Sequence, residues 1–356
     1  DHSFEEQQYF SLALKNFKKE KKLLDFTDML DAFLEEEYIP RLDIVFVDEA
    51  QDLTTKQWKV IERLSESCKI RYIAGDDDQA IYKWAGADVR KFLSIKGNIQ
   101  VLPVSYRLPK KIHGLANQIS NRISLRQNKE WSCRDEEGTI TEIQSIEDID
   151  MSKGNWLILA RSGYQLNKAE SYCKRMGWFY EKGYNEFRAN KYVIAIRSWI
   201  ALNNQEKISY EELKKLYSCL KTNVGVKRGF KGLKNIETDI DFDLEYLKEN
   251  VGLLAEGEWQ DILEGLDPED ILMFESLVKS KDIFKNKARI RLSTIHGMKG
   301  GESENVVVMS DISYKTWRKL NTEPDDEHRV FYVAITRAKK NLFILQPETK
   351  YSYDIR

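Results

Sequence analysis

The feature that most constrains this chain is a pair of short apolar runs that each end in acid. "LDIVFVDEAQD" spans residues 42–52 and "KIRYIAGDDDQ" spans 69–79. Between them lies "TTKQWKVIERLSES", with apolar residues at helical spacing and Thr54 or Thr55 as helix cap. Strand, helix and strand in that order predict two parallel neighbours with a helix over one face. Their carboxyl ends then share one edge, where such sheets bind ligands. Asp48 and Glu49 thereby come beside Asp76, Asp77, Asp78 and Gln79.

The same alternation runs through the rest of the chain. "FEEQQYFSLALKNFKKEKKLLDFTDMLDAFLEEE" (4–37) reads as helical, "IQVLPVSYRLP" (99–109) as a third strand and "PKKIHGLANQISNRI" as helix. Further on, "GTITEIQSIEDI" suggests a strand region, "NWLILARSG" a buried strand, and "YQLNKAESYCKRMG" and "NKYVIAIRSWIAL" helices. Residues 206–285 are rich in Lys and Glu and read as mostly helical, around the basic, turn-rich "KTNVGVKRGFKGLK". β character returns in "ARIRLSTIHGMKGGESENVVVMSD", followed by a helix at "DDEHRVFYVAITRAKK" and a closing strand "NLFIL". The expected fold class is α/β: two parallel-sheet domains, the first incomplete, and a mostly helical insertion in the second. The expected boundaries are 1–98 for the first domain, 99–205 and 286–356 for the two parts of the second, and 206–285 for the insertion.

Composition excludes several classes. At 42% hydrophobic and 32% charged residues the 356-residue chain is globular, with room for two or three cores. It has no apolar run of about 18 residues to span a membrane, and its polar, acidic start is no secretory signal. Four well-separated cysteines with no C-x-x-C argue against zinc and disulfides and fit a reducing cytoplasm. A net charge of −2 does not announce a nucleic-acid binder, though it permits a local basic groove.

The clusters suggest chemistry. At a strand end, one of the Asp48 and Glu49 carboxylates can hold Mg²⁺ and the other can deprotonate an attacking water. Taken alone, such a pair more often caps the next helix. Gln79 can sense a γ-phosphate or its water, while Tyr82 and Trp84 can stack on unpaired bases, against the plainer reading that they pack into the core. Tyr106 can stack on a purine, and Arg107 can stabilise a transferring phosphoryl group, a role worth about 10³–10⁵ in rate. Alone, Arg107 reads as a surface arginine. Thr294 and His296 can bond a phosphodiester, and Glu302 a ribose hydroxyl, beside Gly300 and Gly301. Arg329 and Arg337 sit eight apart, roughly on one helix face if the helix continues, so Arg337 can reach a nucleotide; the bland alternative is a solvated basic face.

In order and approximate spacing, "VDEAQD", "AGDDDQAIYKWAGAD", "SYR", "STIHGMKGGE" and "EHRVFYVAITRA" resemble the motifs of superfamily 1 helicases of the UvrD, Rep and PcrA group. "LLDFTDML" and "LILARSGYQLNKAESYCKRMGWFYEKGYNEF" carry weaker likeness. The resemblance implies two RecA-like domains around an ATP site crossed by single-stranded DNA. It makes Asp48 the Mg²⁺ ligand and Glu49 the general base, also beside the metal, and gives Gln79, Arg107 and Arg337 the γ-phosphate. Tyr106 becomes the base-stacking residue and Glu302 the ribose contact, while Tyr82, Trp84, Thr294 and His296 face or couple to DNA. It further implies 3′ to 5′ movement, single-strand/double-strand junctions as substrates, and repair or replication proteins as partners.

The chain also departs from the pattern. No G-x-x-x-x-G-K-[ST] occurs, so the expectation is a fragment lacking its phosphate loop and inactive alone. The segment 206–285 is short for an accessory domain, Ala85 stands where relatives often carry Arg, and Gly301 where Leu is usual. The alternatives are a remnant that binds DNA or a partner without hydrolysis, and a RecB- or AddA-like helicase–nuclease subunit.

Overall fold

The computed structural model describes residues 3–183, 190–234, 236–285 and 287–356. Residues 184–187, which end the longer of the two weaker stretches, lie outside the described residues. The chain forms two compact units, residues 1–100 with 125–129, and residues 101–124 with 130–356.

In the first unit, α1 (Phe4–Lys21) and α2 (Phe26–Glu35) precede β1 (Ile44–Val47), α3 (Thr55–Leu64), β2 (Ile70–Ile73) and α4 (Val89–Leu93). The opening stretch is two helices rather than one. Lys22 ends α1 in the left-handed region at φ 54°, and Asp25 starts α2 by exchanging capping hydrogen bonds with Asp28. β1 and β2 pair in parallel from Ile44↔Ile70 to Val47↔Ile73, as the two acid-ended runs predict. Val45 and Val47 point into a small core with Ala50 and Trp58, while Phe46 and Tyr72 stack on the exposed face with centroids 4.9 Å apart.

In the second unit, α5 (Lys110–Ser120) is followed by β3 (Thr139–Ile143), β4 (Trp156–Ala160), α6 (Asn167–Arg175), β5 (Tyr180–Lys182) and α7 (Lys191–Asn203). Then come α8 (Tyr210–Cys219), α9 (Leu244–Asn250), α10 (Trp259–Ile262) and α11 (Pro268–Lys279). The chain closes with β6 (Ile290–Thr294), β7 (Ser303–Met309), α12 (Tyr314–Leu320), α13 (Pro324–Ile335) and β8 (Ala338–Leu345). The six strands form one parallel sheet in the order β3-β8-β7-β4-β6-β5. β4 lies inside it and is buried at every position, so it reads as an unbroken apolar run. Sheet residues such as Ile158 and Ile290 share one continuous core with Leu213, Tyr217, Trp259 and Phe274 of the 206–285 segment. The fold is α/β with parallel sheets.

Two expected elements differ. Residues 99–109 form no strand; Val104 makes a single bridge to Ser132. Pro103 and Pro109 have no amide to give a ladder. The helix expected to run to Lys340 stops at Ile335, because Ala338 already pairs with Ser303 as β8 begins.

Candidate functional site

In the first unit both acidic strand ends lie on one sheet edge. Asp48 and Glu49 follow β1 directly, and both are exposed. The Asp48 side chain accepts from the Glu49 amide at 2.8 Å. Glu49 holds φ 50°, a left-handed conformation that costs a non-glycine residue about 1–2 kcal/mol. Strain of this kind gathers at functional sites. Among the described residues no group of three or more His, Cys, Asp or Glu side chains is arranged to hold a metal ion. Asp48 and Glu49 are thus two adjacent, exposed carboxylates at the end of β1.

A hydrogen-bonded chain connects the two strand ends. Gln51, fully buried, donates from Nε2 to Glu49 Oε2 at 2.5 Å and accepts from the Asp76 amide at 3.0 Å. Asp76 in turn takes Gln79 Nε2 on its Oδ2 at 2.7 Å. Glu49 and Gln79, singled out in the sequence for hydrolysis, are thus linked through Gln51 and Asp76.

The three aspartates do not form a solvated turn. Asp77 and Asp78 are buried, and the cations beside them come from residues 125–129. Arg126 grips Asp78 with Nε and NH2 at 2.9 and 2.7 Å, and the Gln127 amide donates to Asp77 at 2.8 Å. Lys129 Nζ lies 2.6 Å from Asp76, 2.6 Å from Asp77 and 3.0 Å from Asp78. Burial alone would raise the Asp76 carboxyl, but the Lys129 charge and the bonds from Lys129 and Gln79 outweigh it and hold it below its ordinary value. At Asp78 burial wins over Arg126 and the carboxyl is raised. Lys129 is raised despite burial, because it faces three carboxylates. Sequence reasoning missed Gln51, Arg126 and Lys129. The available signal was charge: three aspartates behind an apolar strand call for cations of their own.

Past the aspartates, Trp84 is 73% exposed and meets Tyr82 edge-on at 6.3 Å. Packing of Trp84 into the core is thereby overturned.

In the second unit, Arg107 Nε donates to Glu302 Oε2 at 2.8 Å, and Lys339 takes the other carboxylate oxygen at 2.8 Å. The Lys339 hydrogen bond, with Arg107, holds the Glu302 carboxyl below its ordinary value against the opposing effect of burial. Tyr106, next to Arg107, is 87% exposed. Arg337 is not on the helix face of Arg329, because α13 has already ended. Both arginines are buried, so neither forms a solvated basic face. Arg337 turns inward and donates to the carbonyls of Val333 and Gly301 and to the Thr336 hydroxyl. Gly301 leaves room for Met298: a Cβ there would lie 2.5 Å from the Met298 sulfur.

Glu302 and Arg337 precede β7 and β8, at the amino edge of the sheet, whereas Thr294 ends β6 and His296 follows it, at the carboxyl edge. At roughly 3.3 Å per residue, the four steps of β6 separate these edges by about 13 Å. The four residues therefore lie on two opposite edges of the sheet. At the carboxyl edge the Thr294 hydroxyl accepts from the Gly297 amide at 3.1 Å, which shapes the turn carrying His296.

Residues 4–100 match the UvrD/REP helicase N-terminal domain and residues 289–345 the UvrD-like helicase C-terminal domain. The chain thus carries domains of the UvrD/Rep helicase type at both of these stretches. A probable DNA helicase II homolog of Rickettsia conorii is 24% identical over 97% of the chain and 68% of its own length. The ATP-dependent DNA helicase Rep of Buchnera aphidicola is 23% identical over 92% of the chain and 66% of its own length. The ATP-dependent DNA helicase PcrA of Bacillus subtilis is 30% identical over 128 residues, 32% of the chain and 17% of that protein. The chain thus spans about two thirds of the first two relatives' lengths. The Rickettsia alignment runs to 449 positions against 356 residues, so that UvrD/Rep-family relative carries stretches with no counterpart here. Among the described residues no helix is long and apolar enough to cross a membrane.

Proposed function

We propose that this chain is the larger part of an ATP-dependent DNA helicase that moves 3′ to 5′ on single-stranded DNA and opens single-strand/double-strand junctions. The observation that carries the reading is the link from Glu49 through Gln51 and Asp76 to Gln79, which ties a general base to a phosphate sensor. Glu49 takes a proton from the attacking water, and Gln79 orients that water against the γ-phosphate. Asp48 would hold Mg²⁺, which supplies charge neutralisation on the phosphates when bound.

Arg107 serves the γ-phosphate and Glu302 the ribose, with Tyr106 as the stacking platform. Arg337 serves the phosphate once its guanidinium leaves the carbonyl of Gly301. Tyr82 and Trp84 meet bases of the single strand, while Thr294 and His296 meet its backbone from the opposite sheet edge to Glu302. A phosphate loop is required as well, and its motif is not among these residues. Repair or replication proteins are the expected partners.

Unwinding by the full-length gene product tests this reading. A duplex with a 3′ single-stranded tail should open with ATP, and one with a 5′ tail should not. DNA binding with no ATP-dependent opening of either would favour the non-hydrolysing remnant.

A further inference from the structure

We propose that Lys129 is a positioning residue for ATP hydrolysis, clamping the Asp76 carboxylate that fixes the Gln79 amide. The inference rests on the reading of Gln79 given above.

Residues 125–129 belong to the first unit, although the chain on either side belongs to the second. The side chains of Arg126 and Lys129 and the amide of Gln127 all reach the aspartates. Each aspartate also has a donor other than Lys129: Gln79 for Asp76, the Gln127 amide for Asp77 and Arg126 for Asp78. What Lys129 adds is charge. Without it, the three aspartates of a largely buried cluster lose a cation that touches all of them, which drives a carboxylate to gain a proton or move away.

Asp76 is the consequential one. Ionised, it only accepts, so it holds the Gln79 amide by its nitrogen and leaves the carbonyl oxygen aimed away from the acid. Protonated, it can donate to that same carbonyl oxygen and turn the amide round. Gln79 would then present the wrong end to a water or phosphate. Lys129 thus sets the direction of the Gln79 side chain without touching a ligand, and Gln51 carries the same backbone geometry to Glu49.

The test is steady-state, DNA-stimulated ATP hydrolysis by the full-length gene product. Lys129→Met should lower kcat by about 10- to 100-fold, as misplacing a catalytic group does. KM for ATP should stay within about threefold, since no binding contact is lost. Lys129→Arg, which keeps the charge, should recover part of the rate. Lys129→Met combined with Gln79→Ala should be no slower than Gln79→Ala alone, because both act through one amide. Thermal melting checks the fold, and if Lys129→Met unfolds, Asp76→Asn carries the same kcat and double-variant test. Wild-type kcat in Lys129→Met, or multiplicative losses in the double variant, would overturn the inference while Gln79→Ala remained slow. If Gln79→Ala itself hydrolysed ATP normally, the reading of Gln79 would fall and take this inference with it.

Discussion

Arg107 and Glu302, 195 residues apart in the chain, meet at 2.8 Å, and the carboxylate that holds the arginine is also held by Lys339. Both partners are about one-third exposed, so the pair contributes under about 1 kcal/mol to stability. Its use is orientation. Glu302→Ala should therefore raise KM for ATP and also lower kcat, since Arg107 loses its anchor. A ribose contact alone would move KM only. Initial-rate kinetics over a range of ATP concentrations separate the two, with Tm expected to change little.

Trp84 presents an open aromatic face beside Tyr82. Trp84→Ala should weaken single-stranded DNA binding by about 1–3 kcal/mol, with the salt dependence unchanged because no cation is removed. Fluorescence anisotropy of a labelled oligonucleotide at several salt concentrations checks both statements.

Gly75 is a tight position behind the linked residues. A Cβ there would sit 2.5 Å from Gln51 Oε1 and 2.9 Å from the Phe92 ring. Gly75→Ala should cost about 1–3 kcal/mol in urea denaturation, as overpacking does. It should also lower kcat, because the displaced oxygen is the acceptor of the Asp76 amide.

His328 is a built-in pH dependence of the second unit. It hydrogen-bonds the Tyr353 hydroxyl at 2.8 Å, and Tyr353 stacks on Phe331 at 4.0 Å. Burial, then the Arg122 charge, lowers its pKa from the ordinary 6.5. The unfolded chain then binds the proton more readily than the folded one, so this contribution is present above about pH 6.5 and is lost as pH falls through the folded value. The Tm of the second unit should fall between pH 7.5 and pH 5.5, and His328→Gln should flatten that slope.

These relationships were unevenly legible in the sequence. The paired strands β1 and β2 were readable because two apolar runs flanking a helix leave few other arrangements, and both acidic ends fell on one edge as a result. The boundary of α13 was not, because strand pairing of Ala338 with Ser303, 35 residues earlier, overrides a helical pattern. Lys129 and Arg126 were hidden for the same kind of reason: their partners lie about fifty residues back. The inward turn of the Arg337 guanidinium to backbone carbonyls was hidden, because sequence spacing cannot show it.

Glu49, at its strained backbone position, is the proposed base for ATP hydrolysis driven by DNA. The direct measurement is ATP turnover by the full-length gene product with and without single-stranded DNA, for the wild type and Glu49→Gln, alongside nucleotide binding. The wild type should show DNA-stimulated turnover, and Glu49→Gln a loss of about 10²–10⁴-fold with nucleotide binding retained. Turnover that ignores DNA, or a Glu49→Gln protein that hydrolyses ATP at the wild-type rate, would contradict that role for Glu49.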